Sequence, residues 1–104
     1  MSFATIRQRH ITQKGRQATL RRGSSTTANV IAFFSNWAPD EIDGTVLRQG
    51  DVRIELLADL GEYPVPPRNP DRIVTDVAAY TILFANPVYE GPTLIGWTLA
   101  ARGA

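Results

Sequence analysis

Apolar and polar residues alternate with a period of two along several short stretches of the chain. The clearest case is 52–57, where Val52, Ile54 and Leu56 fall on one face of the predicted strand. Such alternation is typical of a half-buried β-strand, because successive side chains point to opposite faces of a sheet. The other strands predicted from this pattern are 17–22, 29–35, 71–74, 78–84 and 93–100.

The strand predicted over 29–35 is apolar on both faces. Val30, Ala32 and Phe34 lie on one face, and Ile31 and Phe33 lie on the other. A strand in a small barrel has a single face toward the core, so its second apolar face needs a cover. We expect either the N-terminal arm or another subunit to supply it.

Proline and glycine separate the predicted strands. Pro64, Pro66, Pro67 and Pro70 exclude a helix or a central strand from their segment, because each fixes its own φ and lacks a donor. Loops are expected over 36–44 and 86–92, and an extended segment over 45–48. Short strands with such punctuation predict an all-β fold, and we expect a small six- to seven-stranded β-barrel with long loops.

The N-terminal residues form a separate pattern. Phe3, Ile6 and His10 fall near one face of a possible helix over 3–13, and Gly15 suits its C-terminal cap. Such a short polar helix is marginal alone and needs a surface to pack on. We therefore divide the single domain into a basic arm or short helix over 1–16 and a β-barrel over 17–104.

Composition places the chain among globular proteins, and its charges are segregated. It has 104 residues, 43% of them hydrophobic, and no cysteine, so neither a disulfide nor a thiolate metal site is expected. No apolar run predicts a membrane span or a signal peptide. Residues 1–39 carry six basic groups and no acid, whereas residues 40–104 carry ten acids against five arginines. The arm is either a solvated basic segment or a docking element for an acidic partner or nucleic acid.

No constellation of residues predicts catalysis. His10 is a poor candidate for a general base, since no acid lies near it in sequence. The acids Asp40, Glu41 and Asp43 lack the spacing of a calcium loop, which favours a solvated acidic turn. Asp51 and Asp71 each begin a strand, where a carboxylate closes a turn by accepting backbone N–H bonds. We expect no enzyme activity, no cofactor and no metal.

The order of motifs resembles that of a known family. Along the chain these motifs are Lys14-Gly15-Arg16, Thr19-Leu20-Arg21-Arg22, Glu41-Ile42-Asp43-Gly44-Thr45, Gln49-Gly50-Asp51-Val52, Pro66-Pro67-Arg68-Asn69-Pro70-Asp71-Arg72-Ile73, Tyr80-Thr81-Ile82 and Ala101-Arg102-Gly103. This order is similar to that of the head-closure, or stopper, proteins of long-tailed bacteriophages and phage-like gene transfer particles, also called head–tail joining or connector proteins. The resemblance covers about residues 14–103. Pro70 stands where family members often have glycine.

The resemblance implies a structural virion protein of the neck, made in the cytoplasm of a bacterial host. Members form a homo-oligomeric ring, expected here with six or twelve copies, between the portal-adaptor protein and the tail terminator or tail tube. Double-stranded DNA passes through the channel without sequence-specific binding. The ring completes the head and retains the packaged DNA until the tail attaches; no membrane is involved.

The residue pattern and the family resemblance together give candidate residues for two kinds of contact. For a loop lining the channel they are Trp37, Asp40, Glu41 and Asp43, because carboxylates repel sliding phosphate. For the contact between subunits they are Phe3, Ile6, Arg21, Arg22, Ile31 and Phe33. Two alternatives stay open: a tail terminator at the same joint, and a small nucleic-acid-binding β-barrel, although the aromatic residues are scattered away from the basic ones.

Overall fold

The computed structural model of the chain is an antiparallel β-barrel preceded by one helix. It describes residues 3–23, 26–42, 44, 47–48, 50–61, 63 and 67–103. Its elements are α1 (Phe3–Lys14), β1 (Arg16–Arg22), β2 (Thr26–Asn36), a 3₁₀ turn (Pro39–Glu41), β3 (Val52–Leu57), β4 (Arg72–Val74), β5 (Ala79–Glu90) and β6 (Thr93–Gly103). Among these residues six strands close in the order β1-β2-β3-β6-β5-β4. The predicted fold class, a small barrel with a short N-terminal helix, is confirmed.

The core lies inside the barrel and is built by the alternating faces of the strands. Ile54, Leu56, Ile82 and Leu99 are fully buried there, and Trp97 is 6% exposed. The inward positions predicted for β3 are therefore confirmed. Parts of the predicted loop 36–44, of the extended segment 45–48 and of the proline-rich segment that begins at Pro64 lie outside the described residues.

The predicted loop over 86–92 is wrong, because β5 continues to Glu90. It pairs with β6 up to Glu90 opposite Thr93, and the turn between the two strands is Gly91-Pro92. Pro87 lies inside β5, opposite Trp97. On its other side β5 pairs with β4 over 79–81, so within the described ladders Pro87 stands on a free edge. A proline is tolerated in a strand where no second ladder needs its N–H.

A β-bulge in β5 turns Phe84 away from the core. Ile82 pairs with Ala101 and Phe84 pairs with Ala100, so Leu83 is an extra residue on this strand. Simple alternation places Phe84 on the same face as Ile82, but the bulge moves it to the outer wall. Bulges re-aim side chains in this way.

Helix α1 packs on the outer wall of the barrel, held by the buried Arg7. The Arg7 guanidinium donates to the carbonyl oxygens of Leu56 at 2.9 Å, Ile95 at 3.3 Å and Trp97 at 3.2 Å. A second bulge leaves Ile95 unpaired between β5 and β6. Gly96 makes room for the anchor, because a Cβ there would collide with the guanidinium.

The end of α1 and the outer face of β2 are in contact. The Gly15 N–H donates to the Ile11 carbonyl at 2.8 Å, and a Cβ on Gly15 would collide with Ile31 and with the main chain. The His10 ring meets Phe33 edge-on with centroids 4.5 Å apart. The helix thus covers part of the outer apolar face of β2, which is one of the two covers expected from the sequence.

We expect Leu56→Ala to lower the free energy of unfolding by about 2–5 kcal/mol, because it removes a fully buried side chain. The matched control is Leu57→Ala, the same truncation on the opposite face of β3, and it should cost clearly less. Urea unfolding followed by circular dichroism measures both. Equal losses would contradict the register of β3.

We expect Arg7→Met to free α1 from the barrel, because the three carbonyl oxygens lose a common donor. Amide hydrogen exchange should accelerate over 3–14 and stay slow in the buried strands. Arg9→Met, on the exposed face of the same helix, is the control. Unchanged protection of α1 in Arg7→Met would show that the apolar contacts alone hold it.

Candidate functional site

Two aspartates organise one end of β3 and one end of β4 in the same way. Asp51 accepts the Arg48 N–H on its carboxylate at 2.9 Å and donates its own N–H to the Arg48 carbonyl. Asp71 does the same with Arg68, with the carboxylate contact at 3.0 Å. Each aspartate closes a four-residue turn just before a strand, as the sequence predicts.

Each carboxylate is also gripped by an arginine from a neighbouring part of the sheet. Arg102 donates to Asp51 with Nε at 2.8 Å and Nη2 at 2.9 Å. Arg22 donates to Asp71 with Nε at 3.0 Å and Nη2 at 2.8 Å. Both carboxylates are nearly inaccessible to solvent, and two-pronged pairs of this kind are strong and directional. We call them the Asp51–Arg102 and Asp71–Arg22 clamps.

The clamps keep both carboxylates ionised. The hydrogen bond from Arg102 lowers the pKa of Asp51, and the Arg48 N–H adds to it against the opposing effect of burial. Burial acts to raise the pKa of Asp71, but the hydrogen bonds from Arg22 and the Arg68 N–H outweigh it, so that pKa is also lowered. These aspartates are therefore structural acceptors at neutral pH and are poorly suited to proton transfer.

The Asp71–Arg22 clamp sits beside two outward-facing arginines. Arg21 precedes Arg22 in β1, Arg72 follows Asp71 in β4, and the two are direct cross-strand partners. Both side chains are exposed, and neither makes an ion pair within the described residues. We call Arg21 and Arg72 the arginine pair.

The arginine pair lies in a polar row across the outer wall. Thr27 of β2 is opposite Arg21, Thr81 of β5 is opposite Arg72, and Arg102 of β6 is opposite Thr81. Each of these residues has at least one neighbour along its strand that lies in the core or packs against it. The row thus presents two hydroxyl groups beside the pair, while its third arginine is already bound to Asp51.

The acidic turn, Pro39–Glu41, follows an aromatic anchor that packs on side chains of β3 and β5. Trp37 precedes it and lies 6.3 Å from the Phe84 ring, with the Arg53 guanidinium 5.5 Å from its own ring. Arg53 and Phe84 both pair with Ala100 of β6, whose complete burial is explained by this cover. Trp37 therefore packs within its own chain.

Asp40 and Glu41 are exposed at the end of this anchor. Glu41 accepts the Ala38 N–H at 3.1 Å, and neither acid makes an ion pair within the described part of the chain. Asp43, predicted in the same loop, lies outside the described residues. The two described acids are thus available to another molecule.

The residues predicted at a subunit contact lie on three elements: α1, β1 and β2. Phe3 and Ile6 are about half exposed on α1, and Ile31 is 36% exposed on β2. Phe33 is partly covered by His10, whereas Arg22 is held by Asp71 inside the chain. Arg21 remains exposed. Its cross-strand neighbour Arg72 was not predicted, because the sequence around either residue does not show which strands pair.

Other features offer little chemistry. An open groove of about 790 Å³ runs between β1, β2 and the segments after β3 and β4, and Thr19 donates to Asn29 there. No group of three or more histidines and acids within the described residues is arranged to hold a metal ion. In the same part of the chain, no helix has the length and apolar character needed to cross a membrane.

Comparison with known proteins adds no relative. No protein-family model, no curated protein and no solved structure matches the chain.

We expect Asp71→Ala to destabilise the protein by about 3 kcal/mol, because it leaves Arg22 and the Arg68 N–H without their acceptor. Asp76→Ala, at an exposed acid in the β4–β5 turn, should change stability by less than about 0.5 kcal/mol. Since the pKa of Asp71 is lowered by folding, its contribution is present above the unfolded-state value near 4. It is lost as pH falls through the folded value.

Thermal unfolding from pH 7 to pH 2 measures this contribution. Wild-type stability should fall more steeply below about pH 4 than that of Asp71→Ala, whose curve lacks the titration of this carboxylate. Parallel curves for the two proteins would contradict the role assigned to the clamp.

Proposed function

We propose that the chain is a structural protein of a bacteriophage or gene-transfer-particle neck. In this role it forms a homo-oligomeric ring between the portal-adaptor and the tail, closes the DNA channel and joins head to tail. It acts through its surfaces and performs no catalysis.

The observation that carries the proposal is the fate of the motifs on which the family resemblance rests. Four charged residues of these motifs are the partners in the two clamps: Asp51 with Arg102, and Asp71 with Arg22. Motifs far apart in sequence thus meet in space and fix the starts of β3 and β4. Residues that fix the fold must keep their places along the chain. This gives a physical reason for motifs that share their order and spacing with a family.

The distribution of charge supports a structural role as well. The buried acids Asp51 and Asp71 are occupied by arginines, so they are not free to act as acid or base. The arginine pair and the acidic turn, by contrast, are exposed and make no ion pair among the described residues. Charges placed in this way serve recognition between molecules.

The test is deletion of the coding sequence from a particle-producing strain, followed by complementation. Without the protein, heads should fill with DNA but lose it, and tails should not attach. The wild-type chain should restore tailed, DNA-retaining particles. Val77→Ala, at a side chain that is 75% exposed, is the neutral control.

Localisation of the protein separates the rival functions. A stopper is found on filled heads that lack tails, whereas a tail terminator is found on free tails. Normal tailed particles in the deletion strain, combined with retention of the chain on DNA that weakens steeply with salt, would instead favour a nucleic-acid-binding barrel.

A further inference from the structure

The arginine pair places two positive charges next to each other on the outer wall. Residues directly opposite each other on antiparallel strands have Cβ atoms about 5 Å apart, and like charges in this arrangement destabilise a sheet. Arg21 and Arg72 are such a pair, and the described residues supply no acid to either. A ligand with negative charge would relieve their repulsion.

The Asp71–Arg22 clamp prevents the sheet from relieving that repulsion by itself. Arg22 is adjacent to Arg21 in β1, and Asp71 is adjacent to Arg72 at the start of β4. The bond between them therefore holds the backbones of both outward arginines side by side. The site is organised before any ligand arrives, which lowers the entropic cost of binding.

The residues of the polar row indicate how many negative charges a ligand of the arginine pair would carry. Thr27 and Thr81 flank the arginine pair with hydroxyl donors. The next cation, Arg102, is already neutralised by Asp51. Two guanidinium groups without an ion pair among the described residues match two carboxylates, whereas a nucleic-acid backbone is bound through a longer series of phosphate contacts.

The same chain presents a matching pair of carboxylates. Asp40 and Glu41 are consecutive, exposed and without an ion pair within the described residues. Trp37 fixes the base of this turn, since it packs against Phe84 and under Arg53. The residue before the acidic turn is thus packed against the barrel.

The two surfaces are held by different strands of the same barrel. Trp37, which precedes the acidic turn, packs against Phe84 of β5 and Arg53 of β3, whereas Arg21 and Arg72 belong to β1 and β4. Within the described residues neither acid forms an ion pair with either arginine. Each charged pair of one chain is therefore left for the opposite pair of a neighbouring copy.

We propose that the arginine pair of one subunit binds the acidic turn of a second copy of this chain. The contact is head-to-tail, because it joins two different surfaces, and its repetition gives a closed ring or an open filament. It rests on the proposed function for its biological setting, and it names the two faces by which the subunits of that ring meet. It also assigns Asp40 and Glu41 to a subunit contact instead of the channel lining.

Cross-linking between engineered cysteines tests the contact in the full-length chain. The protein has no cysteine, so Thr27→Cys beside Arg21 and Ala38→Cys beside the acidic turn are unique reporters. Mixed at high concentration with a short bismaleimide, the two variants should form mixed dimers in preference to either homodimer. Thr93→Cys, at the exposed end of β6, replaces Thr27→Cys in the control and should give none.

Charge exchange makes the test specific. The double variants Arg21→Glu/Arg72→Glu and Asp40→Lys/Glu41→Lys should each reduce self-cross-linking about tenfold or more when they carry both cysteines. Mixing the two should restore it, because each then meets an opposite charge. Arg9→Glu/Lys14→Glu, which changes net charge equally on the helix, should cross-link normally.

Three results would overturn the proposal. These are homodimers of Thr27→Cys in preference to mixed dimers, no restoration in the charge-exchanged mixture, or loss of duplex DNA binding in Arg21→Glu/Arg72→Glu with cross-linking unchanged. The first two leave the neck assignment intact, because particle complementation is measured separately. Conversely, normal particles in the deletion strain would remove the neck assignment without touching this contact.

Discussion

The barrel closes through β4, a strand of three residues that must pair with β1 on one side and β5 on the other. A segment this short forms few ladder hydrogen bonds, so its position depends on the contacts of Asp71, the residue just before it. The Asp71 carboxylate accepts hydrogen bonds from the Arg68 N–H, which precedes it in the chain, and from Arg22 on the neighbouring strand. Closure of the sheet therefore depends on one buried ion pair at the start of its shortest strand, and a similar pair at Asp51 repeats the solution for β3.

The positions of several outward-facing charges follow from the same contacts that hold the barrel together. Because side chains alternate along a strand, Arg22 turns to the clamp and Arg21 turns outward, so a single dipeptide both closes the barrel and exposes a charge. Beside the buried Ala100, Trp37 packs against Phe84 of β5 and Arg53 of β3, and the acidic turn follows it. Exposed charges of both signs on one small barrel suit a subunit that assembles with others, as the neck protein proposed above does.

The sequence predicted those features of the structure that depend on residues close together in the chain. The inward positions Ile54 and Leu56 followed from the pleat, and the aspartate turns followed from side-chain capping. The direction of Phe84 did not, because a single bulged residue inverts the alternation and leaves no mark in composition. The neighbour of Arg21 was equally hidden, since Arg72 lies fifty-one positions later and meets it only through the register of β1 with β4. Likewise, Arg7 looked like one cation of a solvated arm, because its acceptors are main-chain oxygens.

That last feature governs how the helix and the barrel can change together. Arg7 holds on to the carbonyl oxygens of Leu56, Ile95 and Trp97, and every amino acid carries such an oxygen. The attachment is thus indifferent to the identity of the side chains at those three positions, provided the backbone keeps its path. Gly96 is the exception in the strands around this anchor, because an added methyl group there would collide with the guanidinium and with the Leu56 carbonyl oxygen. The side chains that carry the three acceptors can therefore change, as far as the core allows, without removing the hydrogen bonds of Arg7, whereas Gly96 cannot.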